Sequence, residues 1–258
     1  MGSEMCIRDR WIVDRFVAAY GEKKAEEIFK AFHSKSTISI RTNLTRCTQD
    51  ELRVMLEAEG VTVTAVDELN YAFVISGFDY LNGLQSFRDG LFYVQDISSM
   101  LVAQTAAPKK GDYVIDVCAA PGGKSTHIAE LLQGSGHVLA RDLTDNKVDM
   151  IEENIERHGL NNMSAEVWDA TVFDADSAGK ADILICDLPC SGLGVLGRKK
   201  DIRYKMTPES VDELTALQRQ ILDTVHTYVK PNGVLVYSTC TIDEAETVSY
   251  THLRAPRD

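Results

Sequence analysis

Two cysteines follow two apolar, strand-like runs, and thiols so placed suggest covalent chemistry. Cys190 lies in Asp187-Leu188-Pro189-Cys190-Ser191-Gly192, directly after the run from Ala181 to Cys186. Cys240 lies in Tyr237-Ser238-Thr239-Cys240-Thr241, directly after Val234-Leu235-Val236. If the two runs are neighbouring strands of one parallel sheet, both thiols emerge at its carboxyl edge, where open α/β sheets bind ligands. The bland alternative is a small buried hydrophobe at a strand end. Cys118 and Cys186 are assigned that role, although Cys118 also belongs to a loop of interest.

That loop runs Asp116-Val117-Cys118-Ala119-Ala120-Pro121-Gly122-Gly123-Lys124-Ser125-Thr126. Small residues let a backbone approach a ligand closely, and a helix N-terminus favours a carboxylate or phosphate. Gly123-Lys124-Ser125 hints at a P-loop, but the glycine needed five positions before Gly123 is replaced by Cys118. The dinucleotide pattern G-x-G-x-x-G fails as well. A nucleotide-like ligand without a phosphate cradle remains, and S-adenosylmethionine is the obvious candidate. Asp142, ending the next strand, could accept hydrogen bonds from ribose hydroxyls. Asp169, after the third strand, could receive an adenine amino group. Each is weak alone, since acids are common at strand ends.

The elements that must position these residues are legible from period and punctuation. Residues 11–33 read as one or two helices, broken at Gly21. Residues 37–41 alternate like a strand. Thr48-Gln49-Asp50-Glu51 is a capping box, opening a helix that stops at Gly60. Val61–Val66, Tyr71–Ser76 and Leu91–Val94 read as strands, and a helix follows from about Asp96 to Ala107. These make a small α+β module.

From Gly111 the rhythm changes to strand, helix, strand, helix, which implies an α/β domain with a parallel sheet. Its strands are Tyr113–Val117, His137–Arg141, Ser164–Val167, Asp182–Cys186 and Val234–Ser238. Its helices are Lys124–Gln133, Asp145–His158 and Thr207–Val229. Thr207 is the expected N-cap of the last, with Pro208 at its first position. That helix is expected to bury Val211, Leu214, Leu217, Ile221, Val225 and Val229. His127 and His158 are read as surface or packing residues rather than bases, and Trp168 as core or as a neighbour of adenine.

At 258 residues the chain can bury a substantial core. No apolar run is long enough to span a bilayer, and the six cysteines include no C-x-x-C pair, against a zinc or thioredoxin-like site. A reduced, cytoplasmic protein without metal, acting as a monomer and not at a membrane, is the expectation. The net charge of −12 argues against nucleic acid, but the charge is uneven. Arg10, Arg15, Lys23, Lys24, Lys30, Lys35, Arg41 and Arg46 crowd the start, and Arg198, Lys199, Lys200, Arg203 and Lys205 follow the Cys190 loop. Standing alone, either cluster reads as a solvated face.

Both ends read as foreign: MGSEMCIRDR and VSYTHLRAPRD resemble translated adapter sequence and lack a clear apolar period. The expected organisation is therefore residues 1–10 as artefact, 11–35 as a helical junction, 36–108 as the α+β module, 109–247 as the α/β domain and 248–258 as artefact.

Taken together, DVCAAPGGK (Asp116–Lys124), DLPCSGLG (Asp187–Gly194), STCT (Ser238–Thr241) and KDIRYKMTPESVDELTALQRQIL (Lys200–Leu222) resemble the Sun/Fmu (RsmB-like) branch of the RNA cytosine-C5 methyltransferases, the NOL/NOP/Sun family. The resemblance covers roughly Trp11 to Thr247. It implies a Rossmann-type methyltransferase domain, with S-adenosylmethionine bound by Cys118, Ala119, Ala120, Pro121, Gly122, Gly123, Lys124, Asp142, Asp169 and Asp187. It implies that the small module binds RNA, 16S ribosomal RNA above all, with the basic clusters on phosphates. It also implies that a helical domain precedes Trp11 and further strands follow Thr247, so that the sheet is truncated at its C-terminal side. By the same resemblance Cys240 is the nucleophile that adds to cytosine C6, and Cys190 assists release of the methylated base. Asp187 stabilises the attacked ring and touches the cofactor. Lys124 is a candidate for raising the thiolate fraction of a nearby cysteine. Two alternatives stay open: a methyltransferase acting on a non-RNA substrate, and a non-catalytic RNA-binding fragment.

Overall fold

The computed structural model describes residues 10–33 and 37–247. The two ends read as foreign lie outside these residues, apart from Arg10, as do Cys6 and Lys35. The chain divides into two compact units. One comprises Thr37–Asp187 and Leu222–Ser238 and contains both sheets. The described part of the other comprises 10–33, 188–221 and 239–247.

In the sheet-bearing unit, strands β1 (Ile38–Thr42), β2 (Thr62–Ala65), β3 (Ala72–Ser76) and β4 (Phe92–Val94) form an antiparallel sheet in the order β2-β3-β1-β4. A helix, Gln49–Ala58, follows β1. Its capping box is present as expected: the Thr48 side chain accepts from the Glu51 amide, and the Glu51 carboxylate accepts from the Thr48 amide. Leu52 and Leu56, one turn apart, pack with Ile40, Phe73, Ile75 and Phe92 of the sheet.

The second sheet is wholly parallel. Strands β5 (Tyr113–Asp116), β6 (His137–Asp142), β7 (Met163–Val167), β8 (Ala181–Asp187) and β9 (Val229–Ser238) lie in the order β7-β6-β5-β8-β9. Helices α1 (Gly123–Leu131) and α2 (Asp145–His158) connect the first three strands. A strand buried on both faces needs a continuous apolar run rather than alternation. Accordingly Ile183, Leu184, Ile185 and Cys186 of β8 are all at most 2% exposed. The chain winds outward from β5 through β6 to β7, then returns to β8 on the other side of β5. The carboxyl ends of β5 and β8 therefore flank the point where strand order reverses, the usual ligand crevice of such sheets.

A buried ion pair joins the two sheets' neighbourhoods. Arg41 of β1, 1% exposed, donates to Glu130 of α1 at 2.7 Å and to Thr126 at 3.2 Å. A charge so buried is tolerable only when paired and hydrogen-bonded.

The last helix, expected to run to Val229, is α3 (Pro208–Val225) and ends four residues earlier. A 3₁₀ turn, His226–Tyr228, follows it, and Val229 instead opens β9 opposite Ala181. Pro231 pushes Lys230, the residue before it, out of the α region, so the chain beyond the 3₁₀ turn is extended. The same stretch is looped out of the ladder: Val229 pairs with Ala181, pairing resumes at Val234 with Ile183, and Asn232 between them takes a left-handed φ of 66°. Thr207 caps α3 as expected, accepting from the Ser210 amide at 3.2 Å.

In the other unit, two helices, Arg10–Tyr20 and Glu22–Phe32, meet at Gly21, which adopts a φ of 76°. Ile12, Phe16 and Ala25 form a buried cluster with Leu193, which follows the Cys190 loop, and Ile242, which follows Cys240, packs against it. The helical pair thus builds the core under both cysteine loops.

Candidate active site

The loop after β5 is held from several directions. The Ala119 amide donates to the Arg141 carbonyl at 2.8 Å and the Gly122 amide to the Ala119 carbonyl at 2.6 Å. Gly122 takes a φ of 100°, a conformation that L side chains rarely adopt. A Cβ on Gly123 would come within 3.0 Å of the Tyr93 ring. The Pro121 carbonyl accepts from Asn154 at 2.9 Å and from the Tyr93 hydroxyl at 3.3 Å. Tyr93 and Asn154 carry no sequence signal for this role, because their partner is a distant backbone carbonyl.

Asp142 is 4% exposed and already engaged: its carboxylate accepts from the Ala120 and Leu143 amides and pairs with Lys147 at 2.8 Å. It therefore fixes the loop while standing at the carboxyl end of β6. Asp169 is exposed and closes a turn, one oxygen accepting from both the amide and hydroxyl of Thr171. Cys118 is half-buried, and burial pushes its thiol up. Cys186 is wholly buried and pushed far up by the same cause. Neither thiol is set up for reaction.

Asp116, ending β5, is 1% exposed. Desolvation dominates its ionisation and lifts the carboxyl to about 7, against opposing hydrogen bonds from Ser125 (2.5 Å) and the Cys118 amide. A folded-state value above the unfolded one means that the native state holds the extra proton. Stability from this group is complete below about pH 4 and is lost as pH rises toward 7. Urea titrations from pH 4 to 8 are expected to show this fall in the parent protein. Asp116→Asn, which cannot ionise, should flatten it; an unchanged pH profile would refute the assignment.

At the switch point Asp187, last residue of β8, is clamped by both neighbours. Its Oδ2 receives Lys124 at 2.5 Å, and its Oδ1 receives the hydroxyl of Ser238, its register partner on β9, at 2.7 Å. Lys124, a candidate for lowering a thiol, thus spends its ammonium on a carboxylate. Leu188, Pro189 and Cys190 follow Asp187 along the chain, and Thr239 and Cys240 follow Ser238.

The two cysteine loops belong to one unit, and their sulfurs stand 3.3 Å apart. Cys190 is pushed up, first by its hydrogen bond with Cys240 and then by burial. Either sulfur can donate in this contact, and Cys240 is the more exposed of the two. Beneath them is a polar network absent from the sequence reading. Ser191, Gln218, Thr241, Asp243 and Glu246 are each at most 6% exposed. Asp243 is bound by two of the three Arg15 nitrogens, Nε and, at 2.9 Å, Nη2, and this raises the guanidinium's affinity for its proton. The Tyr20 hydroxyl donates to the Ile242 carbonyl. Gln218 occupies the buried stripe of α3 between Val211 and Ile221, where an apolar period alone would place a hydrophobe.

Several described cations of the first basic run are already engaged or buried. Arg41 is buried, Arg15 holds Asp243, and Lys24 and Lys30 pair with Glu27 and Glu26. The second cluster does present exposed cations, Arg198, Lys199, Lys200 and Lys205, with Lys205 paired to Asp201. His127 and His158 are 3% and 0% exposed, and desolvation lowers both, so they are packing residues. Trp168 is half-buried, with the Arg141 guanidinium 5.0 Å from its ring. Among the described residues no helix is long and apolar enough to cross a membrane, and no cluster of His, Cys, Asp and Glu could hold a metal ion.

A parallel sheet reversing between β5 and β8, with a small-residue loop after β5 and an acid closing β6, defines a Rossmann-type methyltransferase domain carrying a small α+β module. Residues 103–253 match the family model of the 16S rRNA methyltransferases RsmB/F, and residues 9–78 match the ferredoxin-like domain of RsmF/B-like methyltransferases. The chain belongs to the RsmB/F family of 16S rRNA methyltransferases. The probable ribosomal RNA small subunit methyltransferase B of Bacillus subtilis (strain 168) is 38% identical over 244 residues, covering 94% of this chain and 54% of its own length. The chain spans about half the length of the curated relatives it matches. The crystal structure of PH0851 superposes with a TM-score of 0.92 at 27% identity, over 98% of this chain and 59% of that one. A methyltransferase homologue from Pyrococcus horikoshii does so with a TM-score of 0.82 at 26% identity, over 97% and 81%.

Proposed function

We propose that this protein methylates C5 of a cytosine in 16S ribosomal RNA through a covalent bond between Cys240 and C6 of the base, with S-adenosylmethionine as methyl donor. The observation that carries this reading is the 3.3 Å separation of Cys190 and Cys240. A methyl transfer to oxygen or nitrogen needs no such pair.

The residues after β5 suit the donor. Gly122 and Gly123 keep the loop backbone bare, Cys118, Ala119, Ala120, Pro121 and Lys124 complete it, and Asp142, Asp169 and Asp187 supply carboxylates for hydroxyl, amino and ammonium-like groups. When bound, the donor supplies an electrophilic methyl group.

Cytosine C5 is a poor nucleophile until C6 is attacked. Cys240 Sγ adds as a thiolate to C6, and the C5–C6 π electrons become available at C5. C5 then forms its bond to the methyl carbon as the methyl–sulfur bond of the donor breaks. Transfer of the C5 proton to water returns the electrons to the ring and expels the Cys240 thiolate, and the Cys190 thiol assists that release by hydrogen-bonding the departing sulfur. Asp187, clamped by Lys124 and Ser238, stabilises the attacked ring. An A-form duplex hides C5 in its deep, narrow groove, so the target lies in a loop or is flipped out. The exposed cluster Arg198–Lys205 is suited to phosphates beside it.

Incubation with labelled S-adenosylmethionine and unmodified 16S rRNA, followed by nucleoside analysis, tests the reading. Label in 5-methylcytidine is expected. Label confined to protein or to a small molecule, or none in RNA, would overturn it.

A further inference from the structure

Glu246 is 0% exposed and follows the Cys240 loop on a 3₁₀ turn, Glu244–Glu246. Its Oε1 accepts from the Ser191 amide at 2.9 Å and from Gln218 Nε2 at 3.0 Å, and its Oε2 accepts from the Ser191 hydroxyl. Gln218 Nε2 also donates to the Pro189 carbonyl at 2.8 Å. The residues on both sides of Cys190 are thereby tied to one carboxylate. Ser191 Oγ also lies 2.9 Å from Thr241 Oγ1, the neighbour of Cys240. Since the single Ser191 hydroxyl proton goes to Glu246, the Thr241 hydroxyl donates to Ser191. Thr241 Oγ1 in turn accepts from the Asp243 amide at 3.2 Å. Every donor in the chain Asp243–Thr241–Ser191–Glu246 points toward the carboxylate, so the polarity of the network is set at one end.

We infer that Glu246 is a positioning residue that holds the Cys190 and Cys240 loops in register and so sets the separation of the two sulfurs. The alternative, a carboxylate serving stability alone, would not require its bonds to meet at Ser191, the neighbour of Cys190 whose hydroxyl also contacts Thr241 beside Cys240. Buried side-chain networks of this kind specify one arrangement when fully satisfied. The catalytic consequence rests on the proposed function; the positioning itself does not.

The test reads sulfur proximity without any methyl transfer. Diamide accepts two hydrogens from two thiols, becoming a hydrazine as the Cys190 and Cys240 sulfurs join at about 2.0 Å. The linked peptides are followed by mass spectrometry on the folded chain. Fast bridging is expected in the parent protein. Glu246→Ala should slow it by on the order of tenfold or more, as loss of alignment does in other intramolecular reactions. Glu246→Gln keeps an acceptor for the Ser191 amide and Gln218, and its amide can donate to Ser191 Oγ, so bridging should recover to within about threefold. In turnover assays Glu246→Ala should lower kcat and leave both KM values within about twofold. If Glu246→Ala does not fold, Ser191→Ala severs only the hydroxyl link and should still slow bridging. Parent-like bridging in whichever of these variants folds would overturn the inference. Slowed bridging in a protein whose parent form methylates no RNA would uphold the positioning and overturn the proposed function.

Discussion

Cys240→Ala is expected to abolish methyl transfer, lowering turnover on the order of 10³-fold or more, since a nucleophile removed from a concerted catalytic group takes most of the acceleration with it. The loss is chemical rather than structural. The Cys240 side chain is exposed, so removing it opens no cavity of consequence. The covalent step can be isolated with RNA carrying 5-fluorocytidine at the target. Fluorine at C5 cannot leave as the proton does, so the adduct persists after methyl transfer. The parent protein should give a denaturant-resistant RNA complex, and Cys240→Ala none. An adduct of normal yield in Cys240→Ala would assign the attack to another group and remove the proposed mechanism.

Cys190→Ala should do the opposite: retain attack and stall release, so that a covalent protein–RNA complex accumulates on ordinary RNA. The asymmetry follows from the pair's geometry. At 3.3 Å the two sulfurs cannot both carry charge without strong repulsion, and Cys190 is the one pushed up. It stays neutral while Cys240 attacks, and it serves at the departure of the base. Denaturing gels of labelled RNA incubated with Cys190→Ala and S-adenosylmethionine should show a slow band, absent when Cys240 is replaced as well. Release at the parent rate would show that Cys190 is dispensable and that another residue assists release.

Much of the sheet was legible because its signals are local. The capping box at Thr48, the break at Gly21, the apolar run of β8 and the small-residue loop after β5 each announce themselves within a few residues. The end of α3 was misread because apolar spacing carries through Val225 to Val229, while Pro231 and the left-handed Asn232 redirect the backbone. Arg41 and Arg15 were counted as surface charge because a basic residue looks the same in sequence whether it meets water or a buried carboxylate. Their partners, Glu130 and Asp243, lie 89 and 228 residues away.

The same division separates the thiols from what holds them. Residue type and immediate neighbours marked Cys190 and Cys240, because Asp-Leu-Pro before one and Ser-Thr before the other are contiguous in the chain. Only the folded chain decided that the sulfurs stand 3.3 Å apart, and that Glu246 binds Ser191 beside Cys190, whose hydroxyl in turn contacts Thr241 beside Cys240. Covalent connectivity writes a motif along the sequence. A hydrogen-bond network is written by distance in space, and burial, which gives each of its bonds weight, exists only once the chain has packed.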